Sequence, residues 1–321
     1  MESLIKWLLE GDVSIQYQVG RDLFQSDEIR LQQRILTEGW GKQYMDLQNE
    51  DGSWGRGFYM PKWTSTHYTV LDLKNLAVPR NSKRILTSIN AILEGHKAAD
   101  GGIGTSVSRA QSDVCVNGMV LNYACYFRVD ENDVKSIIDF LIRHRMHDGG
   151  FNCESNRTAG VKHSSLHTTL SVLEGFHEYK TNGCGYRLDE IVEIEKDAIE
   201  FILMHQLFLS DRTSAIIDQK FLRFTYPFRW KYTILRAMDY FRSIGYPYDA
   251  RMEKAMTEIY HKRNRLGSWN LQSKFTGAEH FEMEKAGQPS RWITMTALRI
   301  LRHYEIDYQL MRELPAAAAE A

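Results

Sequence analysis

The sequence predicts an all-α protein built as a closed ring of about six helical hairpins, with inner and outer helices. Three observations lead to this prediction. A glycine-containing tag recurs along the chain, apolar helices alternate with amphipathic ones, and prolines, which interrupt helices, number only 6. Because a helix that is apolar on most faces has to be buried, the apolar helices are expected inside and the amphipathic helices outside.

The tag repeats at a nearly constant interval. Its first three copies begin at Asp51, Asp100 and Asp148, which are 49 and 48 residues apart. The four copies read Asp51-Gly52-Ser53-Trp54, Asp100-Gly101-Gly102-Ile103, Asp148-Gly149-Gly150-Phe151 and Leu266-Gly267-Ser268-Trp269. Glycine supplies turn conformations, so each copy is expected to end one helix and to open a polar loop before the next.

The helices follow in order from this punctuation. Apolar segments, two of them without a tag, predict inner helices at 15–24, 66–76, 114–127, 166–176, 229–241 and 292–301. Amphipathic segments predict outer helices at 28–47, 82–96, 132–147, 188–207 and 248–263. The long loop 208–226 is expected to be a functional lid. We assign residues 1–310 to a single domain and expect 311–321 to be a disordered C-terminal tail.

Composition limits the class of protein. The chain of 321 residues is 43% hydrophobic and 25% charged, with a formal charge of −1, as expected for a soluble globular protein. Near-neutral charge argues against binding to nucleic acid or to an anionic membrane surface. The four cysteines are too scattered for a disulfide framework, so we expect reduced thiols in the cytoplasm. The N-terminal segment is too short and charged for a signal peptide or membrane span.

Register along the apolar helices identifies a candidate metal site. His67, Cys115, His167 and Trp292 occupy equivalent positions, because a leucine follows each of them six residues later. Asp113, Cys115 and His167 offer a carboxylate, a thiol and an imidazole, which zinc prefers, and three protein ligands leave a catalytic fourth position open. The spacing alone also fits a helix-capping aspartate, a small buried cysteine and a core histidine.

Further residues near the predicted helix starts are candidates for substrate binding and catalysis. His67 is a candidate general base or hydrogen-bonding residue, and a core histidine is the alternative. Aromatic side chains that would form an apolar wall are Trp63, Tyr68, Tyr226, Trp230 and Trp292. Basic side chains that would hold an anionic group are Arg109, Lys162, Arg229 and Arg291. Core packing for the aromatics and surface solvation for the basic residues are the alternatives.

Three motifs resemble a known superfamily. The run Gln48-Asn49-Glu50-Asp51-Gly52-Ser53-Trp54 resembles the repeat tag of squalene–hopene cyclases and protein prenyltransferase β-subunits, whose fold is an α/α toroid. Asp113-Val114-Cys115 and the segment beginning at His167-Thr168 resemble the zinc-binding motifs of the prenyltransferase β-subunits. The chain has Val107 and Ala110 where that family places basic residues for diphosphate. It has no D-x-D-D motif, which disfavours a cyclase.

The resemblance implies a zinc enzyme. We expect transfer of a prenyl or other alkyl group to a zinc-activated thiolate in an aromatic-lined central cavity, with Asp113, Cys115 and His167 as zinc ligands. The expected partner is a small hydrophobic or isoprenoid-type substrate, with or without a diphosphate. The alternatives are a non-catalytic terpenoid-binding toroid, a terpene cyclase-like activity and a zinc hydrolase.

Overall fold

A computed structural model describes residues 2–106, 111–156, 158 and 160–304 of the chain. The predicted anion-binding residue Arg109 and the predicted tail 311–321 lie outside this part. Within it, no helix combines the length and the apolar character that a membrane crossing requires.

The described residues are mostly helical, as predicted. The α-helices are α1 (Glu2–Leu9), α2 (Val13–Phe24), α3 (Ile29–Arg34), α4 (Gly39–Asp46), α5 (Thr66–Asn75), α6 (Lys83–Gly95), α7 (Val114–Tyr126), α8 (Glu131–Arg143), α9 (Leu166–Thr181), α10 (Leu188–Met204), α11 (Ile234–Ser243), α12 (Glu253–His261) and α13 (Arg291–His303). Short 3-10 helices cover Lys62–Thr64, Cys153–Asn156, Gln219–Leu222 and Ala250–Met252. Two short antiparallel strands, β1 (Trp269–Asn270) and β2 (Pro289–Ser290), pair with each other.

Six helices, α2, α5, α7, α9, α11 and α13, all contribute residues to the lining of a cavity of about 200 Å³. We call them the central helices. They contact one another in chain order: α5 packs on α7, α7 on α9, and α11 on α13. Polar contacts join the remaining neighbours, from Gln18 of α2 to the Asn75 carbonyl of α5 and from Arg236 of α11 to Glu174 of α9. Helix α13 also packs against α2.

The other long helices cover the central ones. Helix α4 packs on α2 and α5, α6 on α5, α8 on α7, α10 on α9, and α12 on α11. Each therefore presents one apolar side to a central helix and a charged side away from it. In α8, for example, the buried residues recur at helical spacing: Val134, Ile137, Ile138, Phe140 and Leu141.

The repeated tag ties each loop to the helix that follows. Asp100 accepts hydrogen bonds from the backbone N–H and hydroxyl of Ser112, at 2.7 and 2.8 Å, just before α7 begins. One repeat later Asp148 accepts the same pair of bonds from Ser164, with the backbone bond at 2.8 Å. A Cβ on Gly102 would lie 2.7 Å from the Cβ of Ser112, so this close approach requires glycine.

The structure corrects several predicted boundaries. The segment 28–47 is two helices, because residues 35–38 are not helical, and the second helix begins at Gly39, whose φ of +59° favours glycine. Helix α11 begins at Ile234 instead of residue 229. Arg229 has a φ of +55°, and Thr233 caps the helix by accepting the Arg236 backbone N–H at 3.2 Å. Loop 208–226 contains a 3-10 helix, and the sequence analysis did not predict the two strands.

The contact between α7 and α9 is very close. Every residue of α7 except Cys115 is buried. A Cβ on Gly118 of α7 would lie 2.6 Å from the Ser171 carbonyl oxygen, and one on Gly175 of α9 would lie 2.5 Å from the Gly118 carbonyl oxygen. The absence of a side chain at both positions therefore lets the two helix backbones approach each other.

We predict that Gly118→Ala lowers the free energy of unfolding by about 1–3 kcal/mol, because the added methyl group has no room between the helices. This cost outweighs the gain of about 1 kcal/mol that alanine brings to a helix. Urea denaturation followed by circular dichroism measures the change. Gly95→Ala is the control, since Gly95 also lies in a helix but a Cβ there meets no atom within 4 Å. Equal effects of the two substitutions would contradict the close contact.

Candidate functional site

The prediction that four residues occupy equivalent positions in their helices is confirmed. His67, Cys115, His167 and Trp292 are each the second residue of a central helix: α5, α7, α9 and α13 in that order. The first three helices are neighbours, so their first turns carry His67, Cys115 and His167 into one region of the molecule.

Lys62, which the sequence analysis did not single out, lies among the candidate residues. Its Nζ lies 4.9 Å from the ring centroid of Trp63 and 5.5 Å from that of Trp230. Burial lowers the pKa of His67, and the Lys62 charge lowers it further. The neighbouring Cys153 thiol and burial raise the pKa of the Cys115 thiol, and the Lys62 charge opposes this rise. We call Lys62, Trp63, His67, Cys115 and Trp230 the helix-start site.

His67 is completely buried and neutral. Its Nδ1 lies 3.3 Å from the Tyr123 hydroxyl, and its Nε2 has no hydrogen-bond partner among the residues that the structure describes. Burial lowers its pKa to about 3, with a smaller contribution from the Lys62 charge. A base with so low a pKa accepts protons weakly at neutral pH, so the arrangement suits hydrogen bonding to a substrate better than proton abstraction. Its catalytic role stays a prediction.

The three predicted zinc ligands have separate surroundings. Asp113 precedes α7 and accepts the Thr105 hydroxyl at 3.4 Å, while the Cys115 backbone N–H donates to the Sγ of Cys153 at 3.0 Å. The Nδ1 of His167 accepts the Tyr232 backbone N–H at 2.7 Å. The neutral ring therefore carries its proton on Nε2, and metal ligation through either nitrogen requires the ring to move.

Within the described part of the chain, no three His, Cys, Asp or Glu side chains form a group that could hold a metal ion. The donor types match zinc, but this arrangement of the side chains does not bring the three together. The zinc site stays a prediction from the sequence.

Cys153 is a residue of this region that the sequence analysis did not select. Its Sγ accepts the Cys115 backbone N–H at 3.0 Å and the Thr168 hydroxyl at 3.6 Å. The hydrogen bond from the Cys115 thiol, together with these donors, lowers the pKa of the Cys153 thiol against the opposing effect of burial. The signal in the sequence was its position two residues after the third tag.

The three predicted anion-binding residues that the structure describes, Lys162, Arg229 and Arg291, have separate surroundings. Arg229 is buried and forms an ion pair with the Oδ2 of Asp72, which also accepts the Tyr44 hydroxyl at 2.9 Å. Burial raises the pKa of Asp72 although the Arg229 charge acts in the opposite direction. Arg291 donates to the Trp7 carbonyl at 2.9 Å, and Lys162 is exposed. The charge of Arg229 is thus already compensated within the protein.

Four of the five predicted aromatic residues form two pairs, and the fifth, Trp230, packs against His167. Trp63 and Tyr68 pack edge to face with ring centroids 4.9 Å apart, and Trp63 donates its indole N–H to the Thr276 carbonyl at 2.8 Å. Tyr226 stacks on Trp292 with centroids 3.9 Å apart and an interplanar angle of 18°. The third predicted tryptophan, Trp230, packs against the ring of His167 at 5.1 Å.

The cavity between the central helices is mostly polar, and most of its lining residues lie beyond the first turns of these helices. Of the predicted site residues in the described part of the chain, Arg229 and the helix-start residue Trp292 line it. The remaining charged residues of its lining are Arg21, Lys74, Arg80, Glu174, Glu178, Arg236, Asp239, Arg242 and Arg299. On α7 the lining residues are Asn122 and Tyr126, near the end of the helix that is opposite Cys115. The cavity and the helix-start site are therefore two separate places.

No protein-family model matches the chain, and no curated protein matches it.

We predict that the free energy of unfolding falls as the pH is lowered from 6.5 towards 3, partly because of His67. The folded protein holds this ring neutral down to a pKa of about 3, whereas the unfolded chain takes up a proton below the ordinary value of 6.5. Stability from the neutral ring is therefore complete above pH 6.5 and is lost on acidification. In His67→Leu, the slope between pH 5.5 and 4.5 becomes smaller by roughly 1.4 kcal/mol per pH unit.

Urea denaturation at a series of pH values measures this slope. His147→Leu, at an exposed position, controls for the removal of a histidine as such. Equal slopes for the wild type and His67→Leu would contradict the buried neutral state of His67.

Proposed function

We propose that the protein is an α/α toroid that acts as a prenyltransferase-like enzyme, with its substrate site at the helix starts. The toroid is supported by the contacts that run from α2 through α5, α7, α9 and α11 to α13 and back to α2. A cavity with lining residues from all six of these helices supports it further.

The observation that carries the proposed activity is the position of Lys62. Its ammonium group lies over the rings of Trp63 and Trp230, on the side of the molecule where Cys115 and His67 begin their helices. Lys231 adds a second ammonium group, 3.9 Å from the Trp230 ring centroid. Aromatic faces bind hydrocarbon and attract developing positive charge, and lysines bind phosphate oxygens. An isoprenoid diphosphate carries both features.

The proposed reaction is alkyl transfer to sulfur. The bond between the terminal carbon of the alkyl chain and the diphosphate oxygen breaks, and the diphosphate leaves with the electron pair. A bond forms between that carbon and the thiolate of an acceptor. Lys62 and Lys231 stabilise the negative charge on the leaving group, while Trp63 and Trp230 exclude water from the reacting carbon.

Zinc is the part of the proposal that rests on the resemblance of motifs. Asp113, Cys115 and His167 are its proposed ligands, and a zinc ion bound there would stabilise the acceptor thiolate at neutral pH. Binding would require His167 to release the Tyr232 backbone N–H.

A metal assay tests the zinc proposal directly. We predict that protein purified without chelator contains zinc, and that Cys115→Ala lowers the zinc content to a small fraction of the wild-type value. Cys125→Ala is the matched control, because Cys125 lies near the other end of the same helix. Zinc content that is unchanged in Cys115→Ala would show that the predicted ligand set is wrong.

Ligand titration tests the substrate class. We predict that geranyl or farnesyl diphosphate quenches tryptophan fluorescence, and that Lys62→Ala weakens its binding by roughly 10-fold, as loss of a hydrogen bond to a charged group does. Lys196→Ala, on the outer helix α10, is the control and is expected to bind as the wild type does. Equal affinity of the wild type and Lys62→Ala would contradict the site.

The alternative functions differ in whether diphosphate is released and in whether an acceptor thiol is needed. A non-catalytic terpenoid-binding toroid would bind the isoprenoid diphosphate without releasing diphosphate. A cyclase-like activity or a zinc hydrolase would act without an acceptor thiol. The charged lining of the central cavity favours a polar ligand there over a terpenoid. Diphosphate release measured with and without a small thiol distinguishes these activities.

A further inference from the structure

The cavity between the central helices is lined by more basic than acidic side chains. In the described part of the chain, seven arginine and lysine side chains line it, together with three carboxylates. Two of the seven have a carboxylate of their own, since Arg229 pairs with Asp72 and Arg236 pairs with Glu174. The other five basic side chains share the carboxylates that remain.

Three arginines share two aspartates on one side of the cavity. Arg299 donates to Asp22 at 2.8 Å and also pairs with Asp239. Arg21 donates to the same Asp22 at 2.6 Å, and Arg242 donates to Asp239 at 2.8 Å. Burial acts to raise the pKa of both carboxyl groups, but the guanidinium charges lower it, so both are ionised at neutral pH. Three positive charges therefore meet two negative ones.

Lys74 and Arg80 share a single carboxylate, that of Glu178. The Lys74 Nζ lies 3.1 Å from Oε1, whereas the Arg80 Nη1 lies 3.6 Å from Oε2, which is longer than a hydrogen bond. This Oε2 has no hydrogen-bond partner among the residues that the structure describes. The Arg80 guanidinium also lies 4.3 Å from the ring centroid of Tyr126. Arg80 is thus paired loosely with Glu178.

The five basic side chains exceed their three carboxylates by two positive charges. The histidine of the lining, His177, adds no charge at neutral pH, because burial lowers its pKa. Arg299 is buried, while the side chains of Arg21 and Arg80 are 37% and 33% exposed. The positive charge therefore extends from the surface into the interior, where an anion would be bound more strongly than in water.

Asn122 offers the cavity an unused hydrogen-bond acceptor. This residue is 1% exposed, and its Oδ1 has no hydrogen-bond partner within the described part of the chain. A buried polar atom without a partner is unfavourable, and a hydroxyl group of a ligand would satisfy it. The cavity volume of about 200 Å³ equals that of about seven water molecules at about 30 Å³ each. A molecule of the size of glycerol 3-phosphate matches such a volume.

We propose that the cavity between the central helices binds a small hydroxylated phosphate monoester. Its phosphate group pairs with Arg21, Lys74 and Arg80, and a hydroxyl group donates to Asn122. At neutral pH a phosphate monoester carries a charge of about −1.5 to −2, which matches the excess of positive charge, and its oxygens suit the fork of a guanidinium group. This binding site does not depend on the proposed transferase activity.

The experiment uses the full chain and glycerol 3-phosphate as the probe. Isothermal titration calorimetry is expected to show saturable binding of one molecule per chain. Glycerol, inorganic phosphate and succinate are each expected to bind at least about 10-fold more weakly, because each lacks either the phosphate group or the hydroxyl groups. No saturable binding of glycerol 3-phosphate, or equal affinity for any of the other three compounds, would overturn the proposal.

One variant tests the location of the site. Arg80→Gln is expected to weaken the binding of glycerol 3-phosphate by roughly 10-fold, as loss of a hydrogen bond between charged groups does. Arg265→Gln, at an exposed position in the fourth tag loop, is the matched control and is expected to bind as the wild type does. Circular dichroism checks that both variants are folded. Equal affinity of the wild type and Arg80→Gln would place the ligand elsewhere and overturn the site, and the wild-type titration refutes the proposal without any variant.

A second variant separates this cavity from the helix-start site. Lys62→Ala is expected to bind glycerol 3-phosphate with wild-type affinity, since Lys62 does not line the cavity. Weaker binding in Lys62→Ala than in Arg80→Gln would assign the phosphate to the helix-start site and overturn the proposal. Titration of the same variant with an isoprenoid diphosphate decides the transferase proposal independently.

Discussion

The close packing of α7 against α9 is the constraint on which the site depends. Gly118 and Gly175 leave the two backbones almost in contact, so the first turns of these helices have a fixed separation. Cys115 stands in the first turn of α7, and Thr168, which donates to the sulfur of Cys153, stands in the first turn of α9. A wider separation would part the Cys115–Cys153 pair from Thr168. The relative positions of Cys115 and Thr168 at the helix starts thus depend on two glycines within the helices, Gly118 and Gly175.

Buried charges join the central helices to one another. Arg229 pairs with Asp72, and Arg236 with Glu174, across elements that are far apart in sequence. Burying such pairs costs desolvation energy, so their net contribution to stability is small, but an unpaired member would be strongly unfavourable. They therefore favour one arrangement of the helices over others. They also explain why the cavity between the central helices is polar although these helices are otherwise apolar.

Sequence patterns could predict the helices and the register of their first turns. The tags carry local chemistry, such as the hydrogen bonds from Ser112 to Asp100, and that chemistry repeats wherever the residues repeat. A break within the segment 28–47 was missed, because a single glycine with a positive φ leaves little trace in an amphipathic pattern.

The long-range parts of the site could not be predicted in this way. The Arg229–Asp72 pair spans 157 positions, and nothing local to either residue indicates the other. Lys62 and Cys153 were missed for the same reason, since Lys62 meets Trp230, and Cys153 meets Cys115, only when separate parts of the chain come together. Equivalent register correctly predicted which side chains stand at helix starts, but it could not say which way His167 points or which atom of Tyr232 it meets.

The link between α2 and α13 has a consequence for the biosynthesis of the protein. Arg299 of α13 donates to Asp22 of α2 at 2.8 Å, although 277 positions separate them. During translation α2 leaves the ribosome long before α13 exists, and until then Asp22 pairs with the adjacent Arg21. The apolar face that α2 later presents to α13 stays uncovered over the same interval. The contact between α2 and α13 can therefore form only after almost all of the described chain has been made, which places it late in folding.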